Sequence, residues 1–167
     1  MGEKLTREDV KKIEEELNHR RTTVRTETIE AVKVARAQGD LSENFEYYAA
    51  KREKNMNESR IRYLEQMLKN ATVIDTDSAE DEIGLNNTVE LYVEEDDETE
   101  TYRIVTSIRS STLDNKISIE SPMGQALLGH RVGDRVLIKV NDNYSYYVVV
   151  KKIEKTQSED GDAIRNY

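Results

Sequence analysis

The residues with the clearest chemical potential are two acids three positions apart, Asp40 and Glu43. They stand in the stretch Gly39-Asp40-Leu41-Ser42-Glu43-Asn44-Phe45-Glu46-Tyr47-Tyr48-Ala49-Ala50. Two roles suit that spacing. One is structural: Asp40-Leu41-Ser42-Glu43 has the spacing of a capping box, in which side chains satisfy the free N–H groups at a helix start. The other is half of a Mg²⁺ site. Mg²⁺ takes six oxygens in octahedral geometry, often only one or two of them protein carboxylates. Two acids cannot complete such a site, so another macromolecule would have to hold the rest. Other site chemistry is poorly provided for. The chain has no cysteine, which excludes disulfides and cysteine–zinc sites and fits a reducing cytoplasm. His19 and His130 lie far apart, without ligand spacing.

The acids need a support, and the flanking sequence supplies one. Gly39 suits the left-handed residue after a helix, and Ser42 or Asp40 can cap the next helix. Gly39–Ser42 is therefore expected to be a tight turn between antiparallel helices, with Asp40 and Glu43 at the tip. Residues 7–38 read as one helix behind Thr6 as N-cap. Its heptad seam is Val10, Ile13, Leu17, Val24, Ala31 and Val34, diluted where it passes through Arg20 and Glu27. Residues 43–70 read as the second helix, with Phe45, Tyr48, Ala49 and Met56 in its near half and Ile61, Leu64, Met67 and Leu68 in its far half. About 30 residues at 1.5 Å each give an arm of roughly 45 Å. Many arginines and lysines line this arm, mostly interleaved with glutamate as a solvated face. Arg36 and Lys51 differ in lying within about two turns of the acids, where they could hold an RNA phosphate.

A composition break follows. Asp75-Thr76-Asp77-Ser78-Ala79-Glu80-Asp81-Glu82 is a polar acidic linker, and beyond it period-two alternation replaces period 3.6. Strands are expected at Thr72-Val73-Ile74, Thr88–Val93, Thr101–Val105, Lys116–Glu120, Arg135–Val140 and Tyr144–Ile153, with a short helix over 122–128 behind Ser121 and Pro122. The reading is α+β: residues 1–75 an antiparallel coiled-coil hairpin, 76–155 an antiparallel β domain with a short helix, and 156–167 a flexible tail.

The 167 residues are 36% hydrophobic and 35% charged, with net charge −9. That supports a real core and excludes forced disorder. No run of about 18 apolar residues offers a membrane span, and no apolar signal core follows the N-terminus. An acidic chain lacks the phosphate-neutralising charge that free DNA binding requires. Any nucleic-acid contact should be local, or made inside a partner.

Several separated stretches, in order, resemble the bacterial GreA/GreB transcript-cleavage factors. They are Leu5-Thr6-Arg7-Glu8, then Gly39 to Lys51, then Lys116-Ile117-Ser118-Ile119-Glu120-Ser121-Pro122-Met123-Gly124-Gln125-Ala126-Leu127-Leu128-Gly129, then Val132-Gly133-Asp134, and the resemblance spans roughly residues 5–154. It implies a C-terminal domain like the FK506-binding-protein fold that docks on bacterial RNA polymerase, with Ser121 and Pro122 in the docking surface. It implies that the arm enters the secondary channel, that Asp40 and Glu43 share a Mg²⁺ with the polymerase, and that Arg36, Asn44, Tyr47, Lys51 and Arg52 contact RNA or the channel. The factor would stimulate the polymerase's own cleavage of the RNA 3′ end in backtracked complexes without being an enzyme itself. It would act in the cytoplasm, as a monomer. One other reading stays open beside it, a channel-binding regulator that does not stimulate cleavage; an arm-shaped adaptor with no polymerase role is disfavoured by the ordered motifs, and a prolyl isomerase by the lack of an aromatic pocket, since this chain has no Trp and one Phe. Departures from the family pattern fall at Arg25-Thr26-Glu27-Thr28-Ile29, which lacks a proline, at Ile104–Arg109, which lacks a Gly and a Glu, and at Asn141-Asp142-Asn143, which replaces a Pro-Gly turn.

Overall fold

The computed structural model describes residues 2–38, 44–157 and 163–165. In chain order the elements are β1 (Lys4–Leu5), α1 (Arg7–His19), a π-helical turn (Arg20–Val24), α2 (Arg25–Ala37), α3 (Phe45–Asn70), β2 (Thr72–Val73), β3 (Thr88–Val93), β4 (Glu98–Val105), a 3₁₀ turn (Ser107–Arg109), β5 (Lys116–Ser118), α4 (Pro122–Leu127), β6 (Arg135–Asn141) and β7 (Tyr144–Glu154). The chain divides into two compact units. One is Arg7–Thr72; the other takes Glu3–Thr6 and the chain from Val73 onward. Glu3–Thr6, expected with the arm, joins the second unit because Ile74 N donates to Leu5 O at 2.8 Å and Leu5 is fully buried. Among the described residues no helix is long and apolar enough to cross a membrane.

The first unit is a helical hairpin. Ile13, Leu17, Ile61, Leu64 and Met67 are buried between its helices, as their spacing predicts. The expected single helix over 7–38 is interrupted, however. At Arg20–Val24 the bonding skips to i→i+5, and Arg25 N–H donates to Arg20 O. A π turn accommodates one residue more than an α-helix would, so the seam beyond it moves by one position. Thr28 and Val32 are half-buried and Ala35 is buried, whereas Glu27, Ala31 and Val34 face solvent. The expected seam through Ala31 and Val34 is thereby corrected, and the shift removes Glu27 from a position where its charge would have been desolvated.

Polar groups close the middle of this hairpin. Glu16 accepts from Arg20 Nε at 2.7 Å and from Arg60 Nε at 2.9 Å, and the Arg60 side chain is only 8% exposed. Burial pushes the Glu16 carboxyl up, but hydrogen bonds from Arg60 and then Arg20, with their charges, bring it below its ordinary value. A carboxylate with a depressed folded-state pKa stabilises the fold above its unfolded pKa, and that contribution is lost as pH falls through the folded value. Glu16→Gln should therefore lower the melting temperature at neutral pH. The gap from the parent should close as pH drops below the ordinary 4.5, as thermal unfolding across that range would show.

The second unit is a five-stranded sheet in the order β5-β4-β3-β7-β6. All pairs are antiparallel except β4–β5, which is parallel. The sheet is antiparallel-rich as expected, and the one parallel pair arises because β5 is reached through residues 106–115 and not by a hairpin. Inward residues Val89, Leu91, Val93, Ile104, Val136, Ile138, Val148 and Val150 bury against Leu127 and Met123 of α4. The β6–β7 turn closes with Asn143 N donating to Asn141 Oδ1 at 2.8 Å, an Asx-turn in place of Pro-Gly. Thr156 and Gln157, expected in a free tail, are held: Thr156 Oγ1 lies 2.7 Å from Thr88 Oγ1 and Arg103 Nη2 donates to Gln157 O at 2.7 Å. Arg165 N likewise donates to Ile108 O at 2.7 Å. Gly124 sits so close beneath Ser118 that a Cβ would overlap the Ser118 carbonyl oxygen, which is backbone. Gly124→Ala should cost about 1–3 kcal/mol, measurable as a lowered denaturant midpoint.

Candidate functional site

The distal end of the hairpin is built around Asn44. Its Oδ1 accepts from Tyr47 N at 3.0 Å, making it the N-cap of α3, and its Nδ2 donates to Ala35 O at 2.6 Å. One side chain thus satisfies a free N–H at the start of α3 and adds a second, shorter bond to a carbonyl near the end of α2 that also accepts from Gln38 N at 3.3 Å. The expected cap at Ser42 or Asp40 is corrected: α3 begins at Phe45 behind Asn44. The sequence signal was present, since Asn is a preferred N-cap, but two nearer-looking cap residues masked it.

Arg36 and Tyr47 meet across the hairpin. Arg36 Nη2 donates to Tyr47 OH at 3.4 Å, and the guanidinium lies 5.6 Å from the ring centroid. The Arg36 hydrogen bond holds the Tyr47 hydroxyl below its usual range. Lys51 and Arg52 line a shallow surface groove with Tyr48, Asn55, Met56 and Ser59. On α2, Ala31, Val34 and Ala35 floor a second groove with Ala50, edged by Glu27, Glu30 and Glu46. Of the residues expected to contact RNA or polymerase, Arg36, Asn44 and Tyr47 are brought together directly, and Lys51 and Arg52 lie further along α3.

Asp40 and Glu43 lie outside the described residues, as does the expected Gly39–Ser42 turn. Among the described residues no group of three or more His, Asp or Glu could hold a metal. The placement of the cap still bears on both acids. A capping box spaced as Asp40 to Glu43 is not the one that starts α3, which begins at Phe45 behind Asn44.

Ser121 and Pro122 belong to the other unit. Ser121 Oγ accepts from Gly124 N at 3.0 Å and donates to Ser118 O at 2.6 Å, and Pro122 occupies the first turn of α4. Beside them Ser107 Oγ lies 2.5 Å from Ser118 Oγ and donates to Glu120 Oε2 at 2.9 Å. Sequence reasoning missed this Ser107–Ser118–Glu120 group, because strand alternation gives no sign that the 3₁₀ turn folds back on β5.

Comparison with known proteins adds the following. A family model described as "Transcription elongation factor, N-terminal" matches residues 3–73, and one described as "Transcription elongation factor, GreA/GreB, C-term" matches residues 78–155. The chain is 50% identical over 137 residues to transcription elongation factor GreA of Thermoanaerobacter pseudethanolicus, covering 81% of this chain and 87% of that one. It is 43% identical over 148 residues to GreA of Clostridium botulinum, covering 88% and 92%. Among solved structures it is similar to Thermus aquaticus Gfh1, at 32% identity, 92% and 98% coverage and TM-score 0.43.

The double role of Asn44 is open to a stability test. Asn44→Ala should cost about 1 kcal/mol for the cap alone, with a further loss for the Ala35 carbonyl, which would keep only its 3.3 Å bond from Gln38 N. Asn44→Asp keeps the cap acceptor but cannot donate to Ala35, so it should fall between the two. Thermal melts of the three proteins would rank them.

Proposed function

We propose a function from one premise: the chain belongs to the GreA/GreB family of transcription elongation factors. It binds bacterial RNA polymerase and promotes cleavage of the RNA 3′ end in backtracked, arrested complexes. The second unit docks, using the surface around Ser121 and Pro122, and the hairpin enters the secondary channel. The reaction belongs to the polymerase, and this chain is its cofactor and not an enzyme. It acts in the cytoplasm as a monomer. Free DNA is a poor partner, because a net charge of −9 opposes phosphate binding.

The observation that carries the reading is Asn44. Because its side chain caps α3, that helix has its cap without Asp40 or Glu43, which weakens the capping explanation for two acids at these positions. Their oxygens are a fitting donor set for Mg²⁺, which prefers few carboxylates and completes its octahedron elsewhere, here on polymerase carboxylates. Mg²⁺ bound there would supply activation of water and stabilisation of the leaving oxygen's charge. The residues of this chain bind and orient. Asp40 and Glu43 provide anionic oxygens, while Arg36, Lys51 and Arg52 offer cations to the RNA phosphates, and the Asn44 bridge keeps the two helix ends together.

Asp40→Asn preserves shape and capping capacity and removes the charge; Asp40→Ser preserves only a capping hydroxyl. Both should abolish most stimulated cleavage of a labelled backtracked transcript while polymerase affinity stays within error of the parent. A metal site contributes several kcal/mol of charge stabilisation, so a loss of two orders of magnitude or more is expected. Parent-like cleavage by either variant would remove Asp40 from the site. Tight binding with no cleavage even by the parent would instead make the protein a channel-occupying regulator.

A further inference from the structure

The π turn changes which side of α2 faces α3, and one buried side chain holds it. Asn57 of α3 is 3% exposed. Its Oδ1 accepts from Arg20 Nη1 at 3.0 Å and its Nδ2 donates to Arg20 O at 3.3 Å. That carbonyl is also the acceptor of the i→i+5 bond from Arg25 N–H. Thr22 Oγ1 bonds Asn18 O at 2.7 Å, taking a second carbonyl at the irregularity, and such back-bonding by threonine loosens regular α geometry. On the far side Arg25 is clamped by Glu58 through two bonds of 3.1 Å. The turn is therefore tied to α3 at both ends.

Beyond the turn α2 carries two apolar rows. Ala31 and Val34 continue the heptad of α1, and Val32 and Ala35 lie one residue later. One residue of phase is about 100° of rotation. The structure buries the later row, and this choice directs Arg36 toward Tyr47. We propose that Asn57 is a positioning residue, which holds the π turn and thereby fixes the phase in which the distal arm presents Arg36 and Tyr47. This rests on the proposed role of the arm in polymerase; the locking itself is a property of the isolated hairpin.

Deleting Thr23 separates positioning from mere stability. The deletion removes the surplus residue, so an uninterrupted α-helix would carry Thr28, Val32 and Ala35 in the present phase without help from Asn57. Asn57→Leu keeps volume but loses both bonds, and α2 should rotate toward the earlier row. The chain has no cysteine, so nitroxide labels can be placed on the exposed pair Glu27→Cys and Glu53→Cys in each background. Pulsed dipolar spectroscopy should give one distance in the parent, a displaced one in Asn57→Leu, and the parental one in the double variant Asn57→Leu with Thr23 deleted.

In backtracked polymerase complexes Asn57→Leu should stimulate cleavage about tenfold less or worse, and the double variant should return to within about threefold of the parent, because small misplacements of positioning groups cost rate steeply. Polymerase affinity should hardly change. An unchanged label distance in Asn57→Leu, or a double variant as impaired as Asn57→Leu, overturns the proposal. If the parent itself fails to stimulate cleavage, the functional reading falls and the distances alone decide the positioning role.

Discussion

The first unit depends on one part-buried charge arrangement: the Glu16 carboxylate between the guanidiniums of Arg60 and Arg20. Desolvating three charged groups in a helical seam is costly, and breaking one partner from such a group costs more than the whole is worth against an apolar equivalent. What the arrangement provides is specificity. Leu, Ile and Ala slide past one another in a coiled-coil seam with little penalty, whereas a guanidinium fork on a carboxylate has one register. Asn57, half a turn to one turn from Arg60, uses the neighbouring surface of α3 to hold Arg20 from its other side. The polar middle thus sets the alignment of the helices, and the apolar pairs around Ile13, Leu17, Ile61 and Leu64 supply the burial.

The second unit solves a different problem, that of tying loops to a small sheet. Lys155, just past β7, places its Nζ 2.8–2.9 Å from four oxygens, Ser78 Oγ, Ala79 O, Glu82 O and Asn87 Oδ1, which share its three N–H groups. An ammonium with ligands on an irregular segment does for residues 78–87 what a bound cation does elsewhere. It satisfies backbone carbonyls that no strand can reach. Arg103 acts similarly on the other side, donating to Asn86 O and Gln157 O.

Much of this was legible in the sequence. The change from period 3.6 to period two located the strands of the second unit to within a few residues, and Ser121-Pro122 marked α4 by its cap and first turn. What escaped has three separate causes. Heptad counting assumes i→i+4 bonding throughout, so a single π turn moved Thr28, Val32 and Ala35 into a seam assigned to Glu27, Ala31 and Val34. The warning was the charge at Glu27, which sat badly in any seam. The parallel pairing of β5 was invisible because alternation is the same in parallel and antiparallel strands. The cap at Asn44 lost to Asp40 and Ser42 because all three are good caps, and only the Ala35 carbonyl across the hairpin decides among them.

The charges of the arm divide the same way, and here structure adds what composition could not. Arg20, Arg21, Arg25 and Arg60 are each paired with a glutamate across or along the hairpin, at Glu16, Glu65 and Glu58. Arg60 and Arg20 hold the arm at its half-buried middle, whereas Arg21 and Glu65 form an exposed pair. Toward the distal end the pattern changes. Arg36 lies over an aromatic ring, and Lys51 and Arg52 line an open groove, with no ion pair to either found among the described residues. An exposed ion pair contributes little to stability, so leaving Lys51 and Arg52 without carboxylates costs the fold almost nothing. The distribution of glutamates, more than the number of arginines and lysines, separates the cations paired within this arm from those that are not.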